Sequence, residues 1–384
     1  MIEMDTTEVQ SPPPERAFAT ELLFLEHYDP GPRPPGFRLT PRAVVTFVCG
    51  SGGETLKLPK GARPPDGLPK QLAVSSKFVG DRGIVERSVV TLAGERGLLL
   101  VGEPGTAKSM LSELLAAAIC GTSELTVQGT AGTTEDQLRY GWNYALLLAK
   151  GPVPEALVPS PVLSAMQTGR IARVEEVTRC LPEVQDALVS LLSDRRMAAP
   201  ELGSVMPAKR GFNIIATANL RDRGVSEMSA ALKRRFNFET VPPIADLEQE
   251  VALVTSKARA QLERVGEPLR VDEAVLGALV LAFRDLRTGK SAEGWAVERP
   301  GTVMSTAECV SVAASLGMHG AYFGDGADAL SRLPGFLLGV VQKDDPKDRG
   351  RLLAYWDGVV KRRAESVGTV WKRLHELRKV LEEA

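Results

Sequence analysis

The stretch Gly102-Glu103-Pro104-Gly105-Thr106-Ala107-Lys108-Ser109 decides the fold. It follows an apolar run, residues 97–101, and opens an amphipathic segment that begins at Ser109. A strand, a glycine loop, Lys-Ser and a helix form the layout that binds nucleotide phosphates, because glycine lets backbone N–H groups converge on the oxygens and the helix adds its N-terminal dipole. The stretch therefore predicts a P-loop, with Lys108 against the β- and γ-phosphates and the Ser109 hydroxyl on Mg²⁺.

One position departs from the strict P-loop pattern. Ala107 stands where the pattern has glycine. We expect this position to be nearly helical, so that the extra methyl group is sterically mild. We therefore keep residues 102–109 as the nucleotide-binding loop and add Met110, the next residue of the helix, to the same set.

Composition narrows the class of protein. The chain has 384 residues, 43% of them hydrophobic and 25% charged, which is ordinary for a globular protein of two or three domains. The formal net charge of -1 predicts no general attraction to nucleic acid or to acidic membranes. The N-terminus lacks the apolar region of a secretory signal, and no apolar stretch is long enough to span a bilayer. We expect a cytoplasmic protein without a membrane partner.

Apolar runs alternate with helical patterns over residues 76–243. Such runs indicate parallel strands buried between helix layers, so we predict an α/β core with a five-stranded parallel sheet flanked by helices. After residue 243 the pattern becomes wholly helical. The predicted strands cover residues 97–101, 124–128, 170–174, 212–216 and 236–241. The other predicted segments are an N-terminal helical extension with Pro/Gly-rich loops (1–75), an all-helical lid (244–345) and a C-terminal helical segment (346–384).

An acidic pair follows the third predicted strand. A hydrolytic P-loop enzyme needs one carboxylate for the Mg²⁺ water shell and another to orient and deprotonate the attacking water. Because neighbouring residues of an extended strand point in opposite directions, we assign Glu175 to the magnesium side and Glu176 to the base. An ordinary acidic pair at a strand end is the alternative. Glu175 replaces the usual aspartate, and Arg173 interrupts an otherwise apolar strand.

Two further polar positions complete the predicted catalytic set. Asn219 ends the apolar run that begins at Phe212, and we expect its amide to bind the attacking water or the γ-phosphate; a plain turn is the alternative. Arg235 precedes the last predicted strand. We expect Arg235, rather than Arg234, to reach the γ-phosphate bound by a neighbouring subunit and neutralise charge there. A solvated helix end is the alternative for this cationic run.

In this order the motifs resemble those of an AAA+ ATPase, specifically the MoxR branch and its dynein-related relatives. The resemblance also rests on residues 181–188, on Asp222-Arg223-Gly224 and on residues 232–236. It implies that Val79 and Gly80 line the adenine pocket. It further implies a Walker A motif with Lys108 and Ser109, a Walker B motif with Glu175 and Glu176, sensor 1 at Asn219 and an arginine finger at Arg235.

The family resemblance also implies an activity. Its members hydrolyse ATP with Mg²⁺ in hexameric rings and act as chaperone-like remodellers that mature a protein partner, often with a von Willebrand factor A protein. Here Ala307 occupies the place of the sensor 2 arginine and Glu175 that of the usual aspartate, so slow hydrolysis is expected. Arg299, a few residues earlier, is a less favoured candidate for the missing arginine. Two alternatives stay open: an ATP-binding switch or scaffold with little hydrolysis, and a DNA-associated motor, against which the near-neutral charge argues.

Two inserts of MoxR-like proteins have counterparts in this chain. They are residues 133–161 and residues 196–209, the second of which is expected to be a hairpin. The first contains Tyr140, Trp142 and Tyr144. We expect these aromatic side chains to be exposed and to contact a protein partner; packing against the lid or a neighbouring subunit is the alternative.

Overall fold

The computed structural model describes residues 10–219, 227–324, 329–343, 345–366 and 368–383. The chain divides into two compact units. Unit 1 lies within Met1–Glu103 and Ala107–Val241, and unit 2 within Pro104–Thr106 and Pro242–Ala384. The predicted N-terminal extension belongs to unit 1, and the predicted lid and C-terminal segment belong to unit 2. The four-domain division itself stays a prediction, and the motif Asp222-Arg223-Gly224 lies outside the described residues.

Unit 1 contains a short N-terminal group of helices followed by alternating strands and helices. Local sequence explains several of the helix starts: Thr40, for example, accepts a hydrogen bond from the Ala43 N–H at 3.1 Å, and Pro41 occupies the first helical position. The elements are α1 (Pro14–Ala17), α2 (Ala19–Tyr28), α3 (Pro41–Cys49), β1 (Thr55–Lys57), β2 (Gln71–Ala73), α4 (Arg82–Ala93), β3 (Gly97–Gly102), α5 (Lys108–Cys120), β4 (Thr126–Gln128), α6 (Glu135–Leu138), β5 (Tyr140–Trp142), α7 (Tyr144–Lys150), β6 (Leu157–Pro159), α8 (Pro161–Thr168), β7 (Ile171–Glu175), α9 (Pro182–Asp194), β8 (Arg196–Ala199), β9 (Ser204–Pro207), β10 (Asn213–Asn219), α10 (Ala230–Lys233) and β11 (Phe236–Thr240).

The central sheet confirms the predicted fold class. Its five strands lie in the order β11-β3-β10-β7-β4, and every neighbouring pair is parallel. Strands β3, β7 and β10 are buried along their whole length, as apolar strands between helix layers should be. Because all carboxyl ends meet at one edge, the register places Gly102 beside Asn219 there.

The N-terminal helices contribute to the core of unit 1. Phe24 of α2 and Phe47 of α3 belong to the same buried apolar cluster as Leu98 and Leu100 of β3. Phe47 and Phe24 are fully buried, so removing these helices would expose a large apolar area on one side of the sheet. The extension predicted from sequence is therefore part of the packed core that supports the central sheet.

Unit 2 is helical, as predicted. Ser305 and Glu308 form a capping box that explains why its third helix begins at Thr306. One apolar cluster joins the first helices to the chain end, since it includes Phe283, Trp356 and Leu381. The helices are α11 (Leu247–Glu263), α12 (Glu273–Thr288), α13 (Thr306–Phe323), α14 (Ala329–Val341), α15 (Lys347–Tyr355), a π-helical turn (Trp356–Val360), α16 (Lys361–Ser366), α17 (Gly368–Glu376) and α18 (Arg378–Glu383).

A helix that crosses a bilayer must be long and apolar. Over the described ranges, none of the helices is both long enough and apolar enough to cross a bilayer.

Candidate nucleotide-binding site

The P-loop connects β3 to α5, as predicted. Lys108, at the start of α5, is buried, and its Nζ donates to the carbonyl oxygens of Gly102 at 3.1 Å and Glu103 at 2.7 Å. Gly105 has φ 75°, a left-handed conformation that glycine adopts without strain. The loop thus folds back toward the end of β3 and holds the lysine ammonium group close to its own backbone.

The expectation for Ala107 is wrong. This residue has φ 65° and ψ 23°, which is left-handed rather than nearly helical. For an L-residue with a Cβ this conformation costs about 1–2 kcal/mol. The position therefore retains the backbone geometry that glycine serves in the strict pattern, and the chain stores strain next to Lys108.

Ser109 and Glu175 are in direct contact. The Ser109 hydroxyl donates to Glu175 Oε2 at 2.7 Å, and the Thr217 hydroxyl of β10 donates to the same oxygen at 2.7 Å. The other oxygen, Oε1, accepts from the Ser112 hydroxyl at 2.5 Å and from Arg173 Nη2 at 2.7 Å. Three elements of unit 1 therefore hold this carboxylate in one orientation.

The charge of Glu175 is balanced inside the protein. Burial by itself raises the pKa of this carboxyl group, but the Arg173 guanidinium and the hydroxyls of Ser112, Thr217 and Ser109 lower it by more. The net pKa lies below the usual value, so the group is a carboxylate at neutral pH.

The oxygens at this point suit Mg²⁺. The ion prefers hard oxygen ligands and is usually held by one or two protein groups together with waters and substrate phosphates. The Ser109 hydroxyl and the Glu175 carboxylate supply such oxygens beside the P-loop lysine. The longer glutamate is accommodated because its second oxygen is occupied by Arg173 and Ser112.

Glu176 lies in a different environment from Glu175, but not for the predicted reason. Strand β7 ends at Glu175, and Glu176 has φ 51° and ψ 45°, so it forms a left-handed turn rather than continuing the extended strand. Its N–H donates to Thr217 Oγ1 at 2.9 Å. Its half-buried carboxylate forms an ion pair with Arg179 at 3.1 Å. A strained non-glycine residue next to a binding loop is typical of a functional site.

Asn219 and Arg235 lie at opposite ends of their strands. Asn219 is buried at the carboxyl end of β10, beside the end of β3, and its sensor 1 role stays a prediction. Arg235 comes just before β11; its Nη1 donates to the Ala231 carbonyl at 2.6 Å, and its Nε donates to the Ser193 hydroxyl. Arg235 thus contacts its own chain, and its action on a neighbouring subunit stays a prediction.

Val79 and Gly80, the residues assigned to the adenine pocket, lie in the segment that follows α3 and β2. The Val48 carbonyl at the end of α3 accepts from the N–H groups of Lys77 and Phe78 at 3.0 and 3.1 Å, just before Val79 and Gly80. The N-terminal helices therefore position the segment assigned to the adenine pocket, although base binding there stays a prediction.

Arg299 is the less favoured candidate for replacing the missing sensor 2 arginine. Within unit 2 its guanidinium donates to the Thr288 carbonyl. Ala307 lies in the first turn of α13, as the resemblance requires of the sensor 2 position. The role of Arg299 stays a prediction.

The three aromatic side chains of the first insert do not share one environment. Tyr140 is buried; burial, followed by its hydrogen bond to Glu201 at 2.8 Å, raises its pKa to about 12. Trp142 is half-buried and packs edge-on against Tyr140, whereas Tyr144 is 72% exposed. The expectation of three exposed aromatics is therefore wrong for Tyr140. The predicted second hairpin is confirmed, since β8 and β9 pair antiparallel.

Sequence reasoning missed three side chains around the acidic pair. Ser112 lies one turn along α5 from Ser109, and Thr217 lies two residues before Asn219. The position of Arg173 was noticed only as an oddity. The period of two along a strand would have placed Arg173 on the same face as Glu175 and predicted their ion pair.

Each of the two units matches a known protein family over most of its length. Residues 97–236 match the AAA domain of the dynein-related subfamily. Residues 248–382 match the YehL-like AAA+ ATPase C-terminal domain. YehL of Escherichia coli (strain K12) is 47% identical over 352 residues, which cover 91% of this chain and 92% of YehL.

More distant relatives were also found. The protein SH1500 of Staphylococcus haemolyticus is 28% identical over 194 residues, covering 50% of this chain and 69% of that protein. The crystal structure of NtrX from Brucella abortus in complex with ATP has a TM-score of 0.48 and 16% identity, and the match covers 80% of this chain and 69% of NtrX. The extent and identity of the match to YehL decide the family: the chain belongs to the YehL family of MoxR-type AAA+ ATPases.

Proposed function

We propose that this protein binds and hydrolyses Mg²⁺-ATP in an oligomeric ring and uses the energy to remodel or mature a protein partner. The observation that carries the proposal is the 2.7 Å contact between the Ser109 hydroxyl and the Glu175 carboxylate beside the P-loop lysine. Family membership supports nucleotide binding; hydrolysis, the ring and the client are our inference.

The residues divide the work of hydrolysis. Lys108 would neutralise phosphate charge, and Ser109 and Glu175 would hold the Mg²⁺ ion, which would supply charge compensation for the phosphates. Glu176 orients the attacking water and accepts its proton, because it is the half-exposed carboxylate next to the buried one. Asn219 positions the water or the γ-phosphate from the neighbouring strand end.

Arg235 completes the site of the next subunit, which is why a ring is needed. To do so it must leave its contacts with Ser193 and Ala231, which are weak enough to exchange because they lie at the protein surface. We propose six subunits for this ring, because AAA+ proteins commonly assemble as hexamers. A von Willebrand factor A protein is the partner suggested by the family resemblance, in the cytoplasm, with no membrane or nucleic acid involved.

Phosphate release from Mg²⁺-ATP tests this proposal. It is measured for the wild type, Glu176→Gln and Arg235→Ala across a range of protein concentration. We expect activity per subunit to rise with concentration, and both variants to bind ATP while turnover falls by about 10²-fold or more. Arg234→Ala is the matched control and keeps wild-type turnover. Full activity in Arg235→Ala would contradict the shared site.

A second function, an ATP-binding switch with little hydrolysis, is favoured by one contact. The Glu176 carboxylate is paired with Arg179 at 3.1 Å, which competes with its use as a base. In such a switch the wild type binds ATP tightly and assembles, yet releases phosphate at the background rate, and Arg179→Ala raises that rate.

A further inference from the structure

Arg173 is the most fully bonded charged side chain described in the site. Its guanidinium is almost completely buried, and Nε donates to the Ser112 hydroxyl at 2.9 Å. Nη1 donates to the Ser123 carbonyl at 2.8 Å and the Thr126 hydroxyl at 3.0 Å. Bonds to α5, to the loop after it and to β4 therefore fix the guanidinium in place, independently of Glu175.

The third nitrogen of Arg173 carries the functional contact. Nη2 donates to Glu175 Oε1 at 2.7 Å, and both side chains are only 5% exposed. The other carboxylate near Nη2, Glu113 at 3.3 Å, is 41% exposed and is screened by water. Apart from Lys108 in the P-loop, the buried charges at this point are thus one cation and one anion, and these two cancel.

The pairing of Arg173 with Glu175 affects how strongly nucleotide binding depends on Mg²⁺. A buried carboxylate without a counter-ion repels the nucleotide phosphates and attracts Mg²⁺ strongly, so nucleotide binding in such a site depends on the metal. A fixed guanidinium on the same carboxylate reduces the repulsion of metal-free nucleotide and also reduces the attraction of Mg²⁺. Both effects make nucleotide affinity less dependent on the metal.

We propose that Arg173 is a built-in counter-ion of Glu175, which lets this site bind nucleotide with little dependence on Mg²⁺. The proposal rests on the assignment of Glu175 to the magnesium side in the proposed function. It makes Arg173 a positioning and charge-balancing residue rather than a catalytic one. It also explains why glutamate replaces aspartate here: the longer side chain meets both Arg173 on one oxygen and Ser109 on the other.

The test is equilibrium binding of fluorescent mant-ADP to the full chain, in excess Mg²⁺ and in EDTA. The quantity compared is the ratio of the two Kd values, which a loss of general stability does not change. We expect a wild-type ratio below about tenfold, and Arg173→Met to raise it by about tenfold or more by weakening binding in EDTA. Arg173→Lys keeps the positive charge but loses the guanidinium's bonds to α5 and β4, so its ratio should lie between those of the wild type and Arg173→Met.

Two further proteins make the result decisive. Arg87→Met removes an arginine that pairs with Glu239 at 2.9 Å at the other edge of the sheet, and it should keep the wild-type ratio. The double variant Arg173→Met with Glu175→Gln removes both charges and should return the ratio to within about threefold of the wild type. An unchanged or lower ratio in Arg173→Met overturns the proposal. If that variant does not fold, a wild-type ratio above about tenfold overturns it instead.

The use of ADP separates this inference from the proposed function. ADP binding needs no turnover, so a wild type that releases no phosphate contradicts hydrolysis while the Kd ratios still decide the role of Arg173. Conversely, normal turnover with a large metal dependence of binding contradicts the counter-ion and leaves the ATPase intact.

Discussion

Both units bury an arginine against carboxylates, and the two clusters differ in their surroundings. In unit 1, the Glu175 carboxylate accepts hydrogen bonds both from Arg173 and from hydroxyls, among them that of Ser109 in the P-loop helix. In unit 2, Arg363 lies among Asp285, Glu293 and Tyr355, a group that we call the C-terminal cluster. The first cluster contains the Ser109 and Glu175 oxygens that we propose for Mg²⁺, whereas the groups of the second bond to one another.

The C-terminal cluster is bonded on all sides. Arg363 donates two bonds of 2.8 Å to Glu293 and lies 2.7 Å from Asp285, and Tyr355 donates to Asp285 at 2.9 Å. The guanidinium also lies 4.6 Å from the centre of the Trp371 ring. These contacts tie α16 and α17 to α12, so the end of the chain is an integral part of unit 2.

The two clusters differ in how far apart their paired residues lie in the sequence. Arg173 and Glu175 are two residues apart in one strand, so their pairing is implied by the strand geometry. Arg363 and Glu293 are separated by 70 residues, and only the packing of several helices brings them together. A binding site built on a loop and strand ends is visible in the sequence, whereas a structural cluster between distant helices is not.

The largest expected effect is a loss of stability when Arg363 is removed from the C-terminal cluster. Arg363→Met leaves the buried Asp285 carboxylate without its cation and the partly exposed Glu293 without its partner, so we expect the free energy of unfolding of unit 2 to fall by about 3–5 kcal/mol. Urea unfolding followed by circular dichroism measures it. The matched control is Arg362→Met, next to it in α16, which removes only an exposed contact with the Trp295 ring and should cost less than about 1 kcal/mol. Equal costs in the two variants would contradict the closed cluster.

A smaller effect concerns acid stability. Hydrogen bonds from Arg363 lower the pKa of Glu293 to about 2, from a usual value of 4.5. The stabilisation from this carboxylate is therefore complete above pH 4.5 and is lost as the pH falls toward about 2. Glu293→Gln should flatten the fall in stability over this window, measured as the urea midpoint against pH. Glu298→Gln, at a carboxylate that is 66% exposed, serves as the control and should keep the wild-type slope.

Burial acts on Asp285 in the opposite direction. Burial raises the pKa of Asp285, more than its bonds to Arg363 and Tyr355 lower it. Protonation of Asp285 therefore adds stability as the pH falls, and this contribution is common to the wild type and Glu298→Gln. A Glu293→Gln profile parallel to the wild type would mean that Glu293 is not the source of the acid slope.

The smallest expected effect lies in the P-loop. Ala107→Gly removes the left-handed strain, and after the larger chain entropy of glycine is subtracted we expect a gain of about 0.5–1 kcal/mol in the free energy of unfolding. Ala116→Gly, inside α5, is the matched control of opposite sign and should cost about 1–2 kcal/mol, because it loses both helix propensity and a buried methyl group. Thermal unfolding of the two variants checks the pair, and a loss of stability in Ala107→Gly would argue against the left-handed backbone.

Much of the fold could be predicted because its information is local. The five predicted strands agree with those of the central sheet to within about three residues at each end. The P-loop begins at the end of β3, and Glu175 and Asn219 are the last residues of β7 and β10. Because parallel strands bring their carboxyl ends to one edge of the sheet, these residues could be grouped from the sequence.

Other features depend on long-range packing and could not be predicted. The left-handed turns at Ala107 and Glu176 are imposed by the surrounding strands and helices rather than by the residues, which do not favour them. The burial of Tyr140 needs its bond to Glu201, which is 61 residues away. The packing of α2 and α3 under the sheet likewise joins residues that no short pattern connects.

The P-loop, the order of the motifs and the alternation of strands and helices can be read from the chain alone, because they depend on neighbouring residues and on the periods of strand and helix. Only the tertiary structure decided which charges are paired, where the backbone is strained and that the N-terminal helices belong to the core. Those properties arise from contacts between residues far apart in the chain, whose energies depend on burial and on distance rather than on sequence order.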